Sequence, residues 1–589
     1  MLYTIIKKNA YQDSVNLMLL TNKLSTMEGI QKVSIMMGTE ANKDIFKNSG
    51  LFTEELANAS ANDMCIVVNT EDESKVQEIL DEIDSFLKNQ SISNNDKGYE
   101  TVRTWDKAMK AAPDANIALI SVPGKYAASE ADQALDQGLH AFIFSDNVPL
   151  EEELRLKKKA HDKGLLVMGP DCGTGILSGI PMAFANVVNT GNIGMVGASG
   201  TGIQEVSTII DRLGGGVSHA IGTGGRDLSE KIGAITMMDG ILGLEHHPQT
   251  EVIAIISKPP AKEVRNQVVQ LLQHVSKPVV AIFLGEKPEK HEGNVYHAYT
   301  LEETARIAVD LANQKEVRAD YNALQMEVPQ VDLKDSQTSI KGLYSGGSLA
   351  SEAAMLISDA LQLKDGLIKE EGYMLKADGH EVVDLGDDMY TQGKPHPMID
   401  PDTRIQFIHH AVQDPTTAIV LFDVVLGYGS HEDMANQLVP AIVKAREAAE
   451  KEGRRVYFVA TVCGTDQDPQ NYREQKQILE NAGIIVRDSN NQAVRTAIKM
   501  TGLNIEDIQK QHHQVDVSSK EDDASHVSSE AVQRLLSEKP IVINVGLKKF
   551  SDTFTTFGTR VVQFDWRPVA GGNERMQKIL KLLNSYEAK

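Results

Sequence analysis

The 589-residue chain is long enough for several domains, because a single hydrophobic core stops growing at about 250–300 residues. Its 82 acidic residues outnumber its 59 basic ones, and the formal net charge of −23 argues against a general binder of nucleic acids or anionic membranes. Any anionic substrate must then be held locally, by backbone N–H groups and a few cations.

The three cysteines, Cys65, Cys172 and Cys463, lie far apart and lack the spacing of a zinc site or a disulfide framework. This pattern favours a reducing compartment and predicts no metal site. The N-terminus shows no signal-peptide pattern, and no uncharged stretch reaches the roughly 18 residues that a membrane-spanning helix needs. We therefore expect a cytoplasmic protein.

Residues 1–90 carry alternating strand and helix patterns, which predict a small α+β module of ferredoxin-like or ACT-like type. The polar stretch 89–99 that follows is typical of a linker. Between residues 100 and 186, helix and strand patterns alternate again and predict a Rossmann-like parallel sheet with crossover helices. Its strands end in turns such as Gly169-Pro170-Asp171, which lie on the carboxyl edge, where open α/β sheets bind ligands.

An internal repeat follows this region. In 187–315 and again in 335–503, a Gly/Ser turn opens a helix, a Pro-x-Thr turn precedes an apolar strand, and a further strand follows. The repeat predicts two similar doubly wound, flavodoxin-like domains. The polar stretch 504–536 is predicted to be a linker. Residues 537–589 are too few for a core of their own, so we expect this segment to dock on the chain or on a partner.

At these residues the chain resembles the succinyl-CoA synthetase superfamily of acyl-CoA synthetases, and most closely its FdrA branch. The stretches 168–177 ("MGPDCGTGIL") and 192–206 ("NIGMVGASGTGIQEV") look like the loop and the strand-turn-helix of the synthetase α subunit. The second repeat looks like the carboxyl-terminal domain of the β subunit, and the resemblance spans roughly residues 100–503. Residues 543–573 are similar to the opening of a protein family that accompanies FdrA.

The resemblance implies a choice between two chemistries. The synthetases join an acid to CoA through a phosphohistidine, whereas the FdrA branch is associated with the oxamate carbamoyltransferase of allantoin and purine catabolism. That enzyme interconverts oxalurate and phosphate with oxamate and carbamoyl phosphate. The family therefore implies small anionic substrates, companion carbamoyltransferase subunits in an oligomer, and no cofactor beyond these substrates, with CoA in doubt. Two alternatives stay open: a nucleotide-dependent acid–CoA ligase and a noncatalytic scaffold for the companion subunits.

Each repeat offers one helix start as a seat for an anion. The first N–H groups of a helix lack intrahelical partners, and the helix dipole places about half a positive charge there. In the synthetases, helices of this kind face each other and stabilise one phosphoryl group, so both starts are expected to hold a single phosphate. Ordinary strand-to-helix packing is the alternative for each Gly-rich turn. The residues predicted to bind phosphate or substrate are Asp171, Cys172, Gly173, Ala198, Ser199, Gly200, Thr201, Gly202, Gly222, Thr223, Gly224, Gly225, Gly346, Gly347, Ser348, Gly427, Tyr428, Gly429, Cys463 and Gly464.

Four side chains are predicted to carry the chemistry, each with a structural alternative. Arg226 could clamp a carboxylate or phosphate bidentately, and Lys258 could neutralise carbamoyl phosphate; either could instead be a surface side chain. His431 and Asp466 could exchange a proton with the leaving nitrogen, or could cap loops. Cys172 has no histidine beside it in a recognised pattern, which favours a buried thiol over a nucleophile.

A Pro-rich insertion at residues 393–404 offers Lys394, His396 and Arg404 as cations. This insertion is either a lid over the site or a surface loop.

Departures from the synthetase pattern favour direct carbamoyl transfer. The stretch before Trp105 lacks the strand and Gly-rich turn that begin a CoA-binding domain, so the 100–186 region is predicted to be a degenerate domain of that type. His291 and His297 are the candidates for a phosphohistidine, and neither lies in the expected motif. Lys258 stands where the synthetases carry a glutamate. The span 315–340 is too short for a nucleotide-grasp domain, and carbamoyl transfer needs no covalent intermediate if donor and acceptor are held together.

Overall fold

The computed structural model describes residues 1–12, 14–25, 27–92, 98–323, 327–363, 372–391, 394–507, 510–513 and 527–568, together with 576 and 579. Its strands form four sheets, and three of these are wholly or largely parallel with helices on their faces. This is the multidomain α/β fold class that the sequence predicts. Within the described ranges, no helix combines the length and apolar character needed to cross a membrane.

The N-terminal module combines a small antiparallel sheet with helices. Its elements are β1 (Leu2–Lys7), α1 (Ser14–Ser25), β2 (Ile30–Met37), α2 (Glu40–Asn48), α3 (Glu54–Ala57), β3 (Met64–Thr70) and α4 (Ser74–Ile92). The strand order is β1-β3-β2. Helix α4 runs into the predicted linker, and residues 93–97 of that linker lie outside the described part of the chain.

The next region supplies four parallel strands and three helices. They are β4 (Glu100–Val102), α5 (Trp105–Ala111), β5 (Ile117–Ile120), α6 (Gly124–Asp136), β6 (His140–Ile143), α7 (Leu150–Asp162) and β7 (Val167–Met168). The following hairpin, at 174–183, leaves this sheet and joins the next one, so the predicted domain boundary at residue 186 is too late.

The first repeat is doubly wound. Its elements are β8 (Thr174–Leu177), β9 (Ile180–Ala183), β10 (Ile193–Ala198), α8 (Gly200–Arg212), β11 (Val217–Gly222), α9 (Ile235–His246), β12 (Val252–Ser257), α10 (Lys262–His274), β13 (Val279–Phe283), β14 (Lys290–Glu292), β15 (Val295–Ala298) and α11 (Leu301–Ala312). The parallel strands run in the order β11-β10-β12-β13-β15. This is the flavodoxin-like order 2-1-3-4-5.

The second repeat has the same topology. A 3₁₀ turn (Tyr321–Ala323) precedes β16 (Ser339–Tyr344), α12 (Gly347–Ala360), β17 (Leu375–Ala377), β18 (His380–Asp384), α13 (Asp388–Thr391), α14 (Asp402–Gln413), β19 (Thr417–Val425), α15 (Met434–Lys451), β20 (Tyr457–Cys463), α16 (Tyr472–Asn481), β21 (Ile485–Arg487) and α17 (Asn490–Met500). Its parallel strands run β18-β16-β19-β20-β21, again 2-1-3-4-5. The two flavodoxin-like domains predicted from the repeat are confirmed.

The carboxyl-terminal part contains β22 (Gln511–His513), α18 (Glu530–Ser537), β23 (Val542–Val545), α19 (Lys548–Thr556) and β24 (Val561–Phe564). The prediction of a linker over 504–536 is wrong at two places. Strand β22 pairs with β14, and α18 buries apolar side chains such as Leu535 in the core beneath α9. Residues 508–509 and 514–526 of that stretch lie outside the described ranges.

Strands β23 and β24 complete the Rossmann-like sheet. All six strands are parallel, in the order β4-β24-β23-β5-β6-β7. If β23 is counted first, this is the Rossmann order 3-2-1-4-5-6 in circularly permuted form. The strand and glycine turn missing before Trp105 are therefore supplied by β23 and Gly546, which has φ +123° and lies against Ser121. The 100–186 region, predicted to be a degenerate domain, thus has a complete sheet, and the carboxyl-terminal segment, predicted to dock on the chain or on a partner, contributes two of its strands.

Candidate functional site

The starts of helices α8 and α12 meet at the junction of the two repeats. Strand β10 leads through Ser199 into α8, and β16 leads through Gly346 into α12. The Ser199 and Ser348 hydroxyl groups are hydrogen-bonded to each other, and the Ser348 amide N–H donates to Thr201 Oγ1 at 3.2 Å. The two turns predicted to share one phosphate are thus in direct contact.

Three backbone amides at this junction are open to an anion. The first N–H groups of a helix have no intrahelical acceptor, and Ser199 Oγ satisfies only that of Gly202, at 3.1 Å. Within the described residues, nothing accepts a hydrogen bond from the amides of Gly200, Thr201 and Gly347, and all three residues are partly exposed. The positive ends of two helix dipoles add to the attraction for negative charge.

Two loops of the first half pack tightly beside these amides. A Cβ on Gly222 would lie 2.2 Å from Thr174 O, and one on Gly224 would lie 2.3 Å from Pro170 O, so only glycine fits at either position. Thr174 also lies next to the start of α8, with its Oγ1 3.2 Å from where a Cβ on Gly200 would be. The predicted 171–173 and 222–225 loops therefore form one wall of the junction.

This wall carries a carboxylate and an ammonium group. A Cβ placed on Gly225 would lie 3.5 Å from both Asp171 Oδ2 and Lys258 Nζ. Asp171 and Lys258 are exposed residues. Reduced contact of the Asp171 carboxyl with water raises its pKa, and the positive charge of Lys258 opposes that rise. Lys258 also acts electrostatically on Asp384 of the second repeat. It therefore brings positive charge to the place where the two halves meet.

A buried ion pair supports the start of α12. The Asp423 carboxylate, which is 0% exposed, accepts hydrogen bonds from the N–H groups of Ser345 and Gly346, both at 2.8 Å. Arg404 is also buried and donates to Asp423 Oδ1 at 3.2 Å and to its backbone oxygen. Arg404, predicted as a lid cation, therefore neutralises Asp423. Lys394 of the same insertion is exposed.

Sequence reasoning missed Asp384. Strand β18 runs beside β16 with Asp384 opposite Tyr344, so the carboxylate arrives at the start of α12. A Cβ on Gly347 would lie only 2.5 Å from Asp384 Oδ2. His396 is close by, since a Cβ on Gly386 would lie 2.7 Å from its Nε2 and 3.2 Å from Asp384 Oδ1. Asp171 is predicted as a binding residue because it follows the end of a parallel strand. The same criterion applies to Asp384.

Arg226 is engaged elsewhere. Its guanidinium donates to Val148 O at 2.8 Å and forms an ion pair with the buried Glu153 at 2.8 Å. Glu153 also pairs with Lys157, which bonds to Asp227 at 2.6 Å. The structure favours the structural alternative for Arg226 over a free clamp on substrate.

His431 and Asp466 are each bonded within their own loops. His431 Nδ1 accepts from the Asp433 N–H at 2.9 Å, and the His431 N–H donates to Met398 O at 2.8 Å. Asp466 pairs with the exposed Arg473 at 2.9 Å. These contacts favour the capping alternative over a joint proton-transfer role.

The glycines of the 427–429 loop serve close packing. A Cβ on Gly427 would lie 2.6 Å from Ala185 O, and one on Gly429 would lie 2.3 Å from the Phe184 ring. The Tyr428 ring packs on the carboxyl-terminal segment. This loop therefore belongs to the contact between the halves and not to the open amides.

Three further predicted binding residues are also packing residues. Cys463 is buried against Thr208 of α8, and Gly464 O accepts a hydrogen bond from Arg212 at 2.7 Å. Burial raises the pKa of the Cys172 thiol to about 12, as expected for an inert buried cysteine.

The two phosphohistidine candidates are buried in the sheet of the first repeat. The His297 N–H donates to His291 Nδ1 at 3.1 Å, and His297 Nε2 lies 3.1 Å from a Glu292 oxygen. Burial lowers the pKa of both imidazoles to about 4. As for metals, the described part of the chain contains no group of three His, Cys, Asp or Glu side chains able to hold an ion.

Three family profiles match the chain. One described as "CoA-ligase" matches residues 343–500, one described as "CoA binding domain" matches 188–285, and one described as "AllF, heavy metal-associated domain" matches 1–103. The CoA-binding profile thus falls on the first flavodoxin-like repeat and not on 100–186. Together with the paired helix starts, these matches define a protein of the succinyl-CoA synthetase-like superfamily.

Individual relatives narrow this assignment. YahF of Escherichia coli (strain K12) is 42% identical over 496 residues, which are 82% of this chain and 96% of YahF. The chain belongs to the YahF family. Succinate–CoA ligase [ADP-forming] subunit alpha 2 of Archaeoglobus fulgidus is 25% identical over 32% of this chain, and the match spans 63% of that subunit. ATP citrate lyase of Methanothrix soehngenii, solved with citrate and coenzyme A, overlaps 78% of this chain and 86% of its own, with 13% identity and a TM-score of 0.32.

Proposed function

We propose that this chain is the phosphate-binding subunit of an oxamate carbamoyltransferase, the activity implied by its resemblance to the FdrA branch. The observation that carries the proposal is the contact between the starts of α8 and α12, where the amides of Gly200, Thr201 and Gly347 have no acceptor among the described residues. A phosphate group fits such a pair of helix starts because it is small, dianionic and rich in acceptor oxygens.

The transfer itself requires positioning and charge stabilisation. The amide nitrogen of oxamate attacks the carbonyl carbon of carbamoyl phosphate; a C–N bond forms, the C–O bond to phosphate breaks, and phosphate leaves with the bonding pair. The amide nitrogen loses one proton in this step, and the leaving phosphate takes it up. Negative charge grows on the phosphate oxygens as that bond breaks, so the open amides and Lys258 stabilise the transition state more than the bound donor. Oxamate is held beside them, with companion subunits completing the site.

The burial of the two histidines supports direct transfer. A phosphohistidine enzyme needs an imidazole that reaches the phosphate seat and accepts a phosphoryl group. His291 and His297 are held in the sheet by hydrogen bonds to each other and to Glu292. A route without a covalent intermediate needs neither of them.

The direct test mixes the full chain and its companion subunits with oxamate and carbamoyl phosphate and measures oxalurate by chromatography. We expect oxalurate to form, and we expect Lys258→Met to slow the reaction by about 10²-fold, as for loss of one charge-stabilising group. Lys262→Met, which removes an exposed lysine at the start of α10, is the matched control and should leave the rate unchanged. Absence of oxalurate from the wild-type assembly would overturn the proposal.

An acid–CoA ligase is the second candidate, and one observation favours it. Strand β23 and Gly546 restore the strand and glycine turn of a Rossmann-like domain, where a CoA pyrophosphate would bind at the sheet's switch point. If ATP, CoA and a carboxylic acid give a thioester with the purified assembly, and oxalurate does not form, the ligase assignment replaces the carbamoyltransferase.

A further inference from the structure

Asp384 lies beside the start of α12, one of the two helix starts of the proposed phosphate seat. Its Oδ2 is 2.5 Å from the position of a Cβ on Gly347, whose amide is one of the three open N–H groups. The Gly386 N–H donates to Oδ1 at 3.0 Å and fixes the carboxyl in place. The Asp384 residue as a whole is half-buried.

The charged groups around Asp384 come from several elements. Lys258 attracts its negative form, whereas Asp387 and Asp423 repel it. Asp423 is already bonded to Arg404 and to two amides, so it does not compete for the anion. His396, from the insertion, is neutral at pH 7 because burial lowers its pKa to about 4.

A carboxylate on an anion seat poses an electrostatic problem that protonation solves. Ionised Asp384 would repel a phosphate bound at the neighbouring helix start, whereas protonated Asp384 could donate a hydrogen bond to a phosphate oxygen. Burial raises the pKa of Asp384 to about 7, so both forms are populated near neutral pH. This is the range in which a carboxyl group works best as a proton carrier.

We propose that Asp384 is the proton-carrying residue of the phosphate seat. This inference rests on the proposed carbamoyl transfer. When oxalurate is cleaved, a phosphate oxygen attacks the carbamoyl carbon, a C–O bond forms and the C–N bond breaks. The protonated Asp384 carboxyl gives its proton to the departing amide nitrogen and takes back the proton that the attacking phosphate loses. The reverse reaction moves the proton in the opposite direction.

The first test measures binding of inorganic phosphate to the full chain by calorimetry between pH 5.5 and 9. Asp384→Asn keeps the shape of the side chain but cannot ionise. Phosphate itself also changes protonation state over this pH range, and dividing the wild-type Kd by the D384N Kd cancels that effect. We expect this ratio to be nearly constant below pH 6 and to rise about tenfold per pH unit above pH 7. A ratio that stays constant over the whole range would overturn the inference.

The control is Asp387→Asn, which removes a carboxylate from the same loop. Because Asp387 raises the pKa of Asp384, this variant should retain the pH-dependent binding and move its midpoint to lower pH. Complete loss of the pH dependence in D387N would contradict the assignment to Asp384.

The second test measures turnover in the assembly with companion subunits. D384N should reduce kcat by about 10²–10⁴-fold while it still binds phosphate at pH 8. Unchanged kcat would overturn the proton-carrying role even if wild-type enzyme makes oxalurate. Failure of the wild-type assembly to make oxalurate would instead overturn the carbamoyltransferase, so the two failures are separable.

Discussion

The claim that residues 100–168 and 542–564 build one Rossmann-like sheet can be tested with a single substitution. Phe554 is 1% exposed and lies on α19, in the same hydrophobic cluster as Ile117 and Leu119 of β5. Phe554→Ala truncates a buried side chain of this shared cluster. Lys549→Ala, at an exposed position of the same helix, is the matched control.

The size of the effect follows from the burial of the side chain. Truncating a fully buried phenylalanine to alanine costs about 3–5 kcal/mol, because transfer free energy is lost and a cavity remains. Domains have a net stability of about 5–15 kcal/mol, so this loss is a large share of the total. A surface substitution such as Lys549→Ala changes the free energy of unfolding by about 0.5 kcal/mol or less.

Tryptophan fluorescence isolates this domain from the rest of the chain. The protein has two tryptophans, and both donate to the Glu130 carboxylate: Trp105 Nε1 at 2.8 Å and Trp566 Nε1 at 2.9 Å. Urea unfolding followed by tryptophan emission should therefore show one transition for both, shifted strongly in F554A and hardly in K549A. If F554A unfolds at the wild-type urea concentration, the carboxyl-terminal segment is not part of the core.

Three further predictions address charge and burial. Arg404→Met leaves Asp423 buried without its counter-charge and should cost about 3–5 kcal/mol in urea unfolding, whereas adding Asp423→Asn should recover most of the loss; an unaffected single variant would contradict the ion pair. Burial raises the pKa of Glu352 to about 8, above the value of about 4.3 in the unfolded chain, so the folded state holds a proton that the unfolded state loses. The contribution of this proton to the free energy of unfolding is present at low pH and is lost, by up to about 1.4 kcal/mol per pH unit, as pH rises from about 5 to 8. Tm should fall over the same range, and Glu352→Gln should flatten that fall. The three cysteines are buried, so a thiol reagent at pH 8 should label the native protein about a hundredfold more slowly than the unfolded chain, and equal rates would refute their burial.

The fold of the two repeats was accessible from sequence because its signals are local. A strand such as β10, the Gly/Ser turn after it and the apolar spacing of α8 all lie within about twenty residues, and the repetition of this order identified the topology. The same repetition predicted that Ser199 and Gly346 occupy equivalent places. The contact between the two helix starts, which joins Ser199 to Ser348, was implied only by the family resemblance.

The closure of the Rossmann-like sheet was not accessible in this way. Asn116 and Ile541 are bonded across the β5–β23 pair although they are 425 residues apart in sequence. Periodicity shows that β23 is a strand, but it does not show which strand is its neighbour. From sequence, this short segment is therefore predicted only to dock, and its partner strands are not predicted.

The residues of the candidate site also fall into two groups, those that local sequence patterns predict and those that depend on distant partners. The glycines of the helix starts and Lys258 were identified from turn chemistry and strand ends. The partners of Arg226 and Arg404 are acids on other elements, Glu153 and Asp423, and no local pattern predicts such pairs. Asp384 lies at the end of a parallel strand, but the sequence does not show that this strand pairs with β16 and so brings Asp384 to the start of α12.

The central claim is that the starts of α8 and α12 hold one small anion between them. A crystal structure of the protein soaked in phosphate tests it most directly. We expect one phosphate with oxygens about 2.7–3.2 Å from the amide nitrogens of Gly200, Thr201 and Gly347, and with Lys258 turned toward it. A saturating soak that leaves this junction without phosphate, or that places phosphate only elsewhere, would contradict the account.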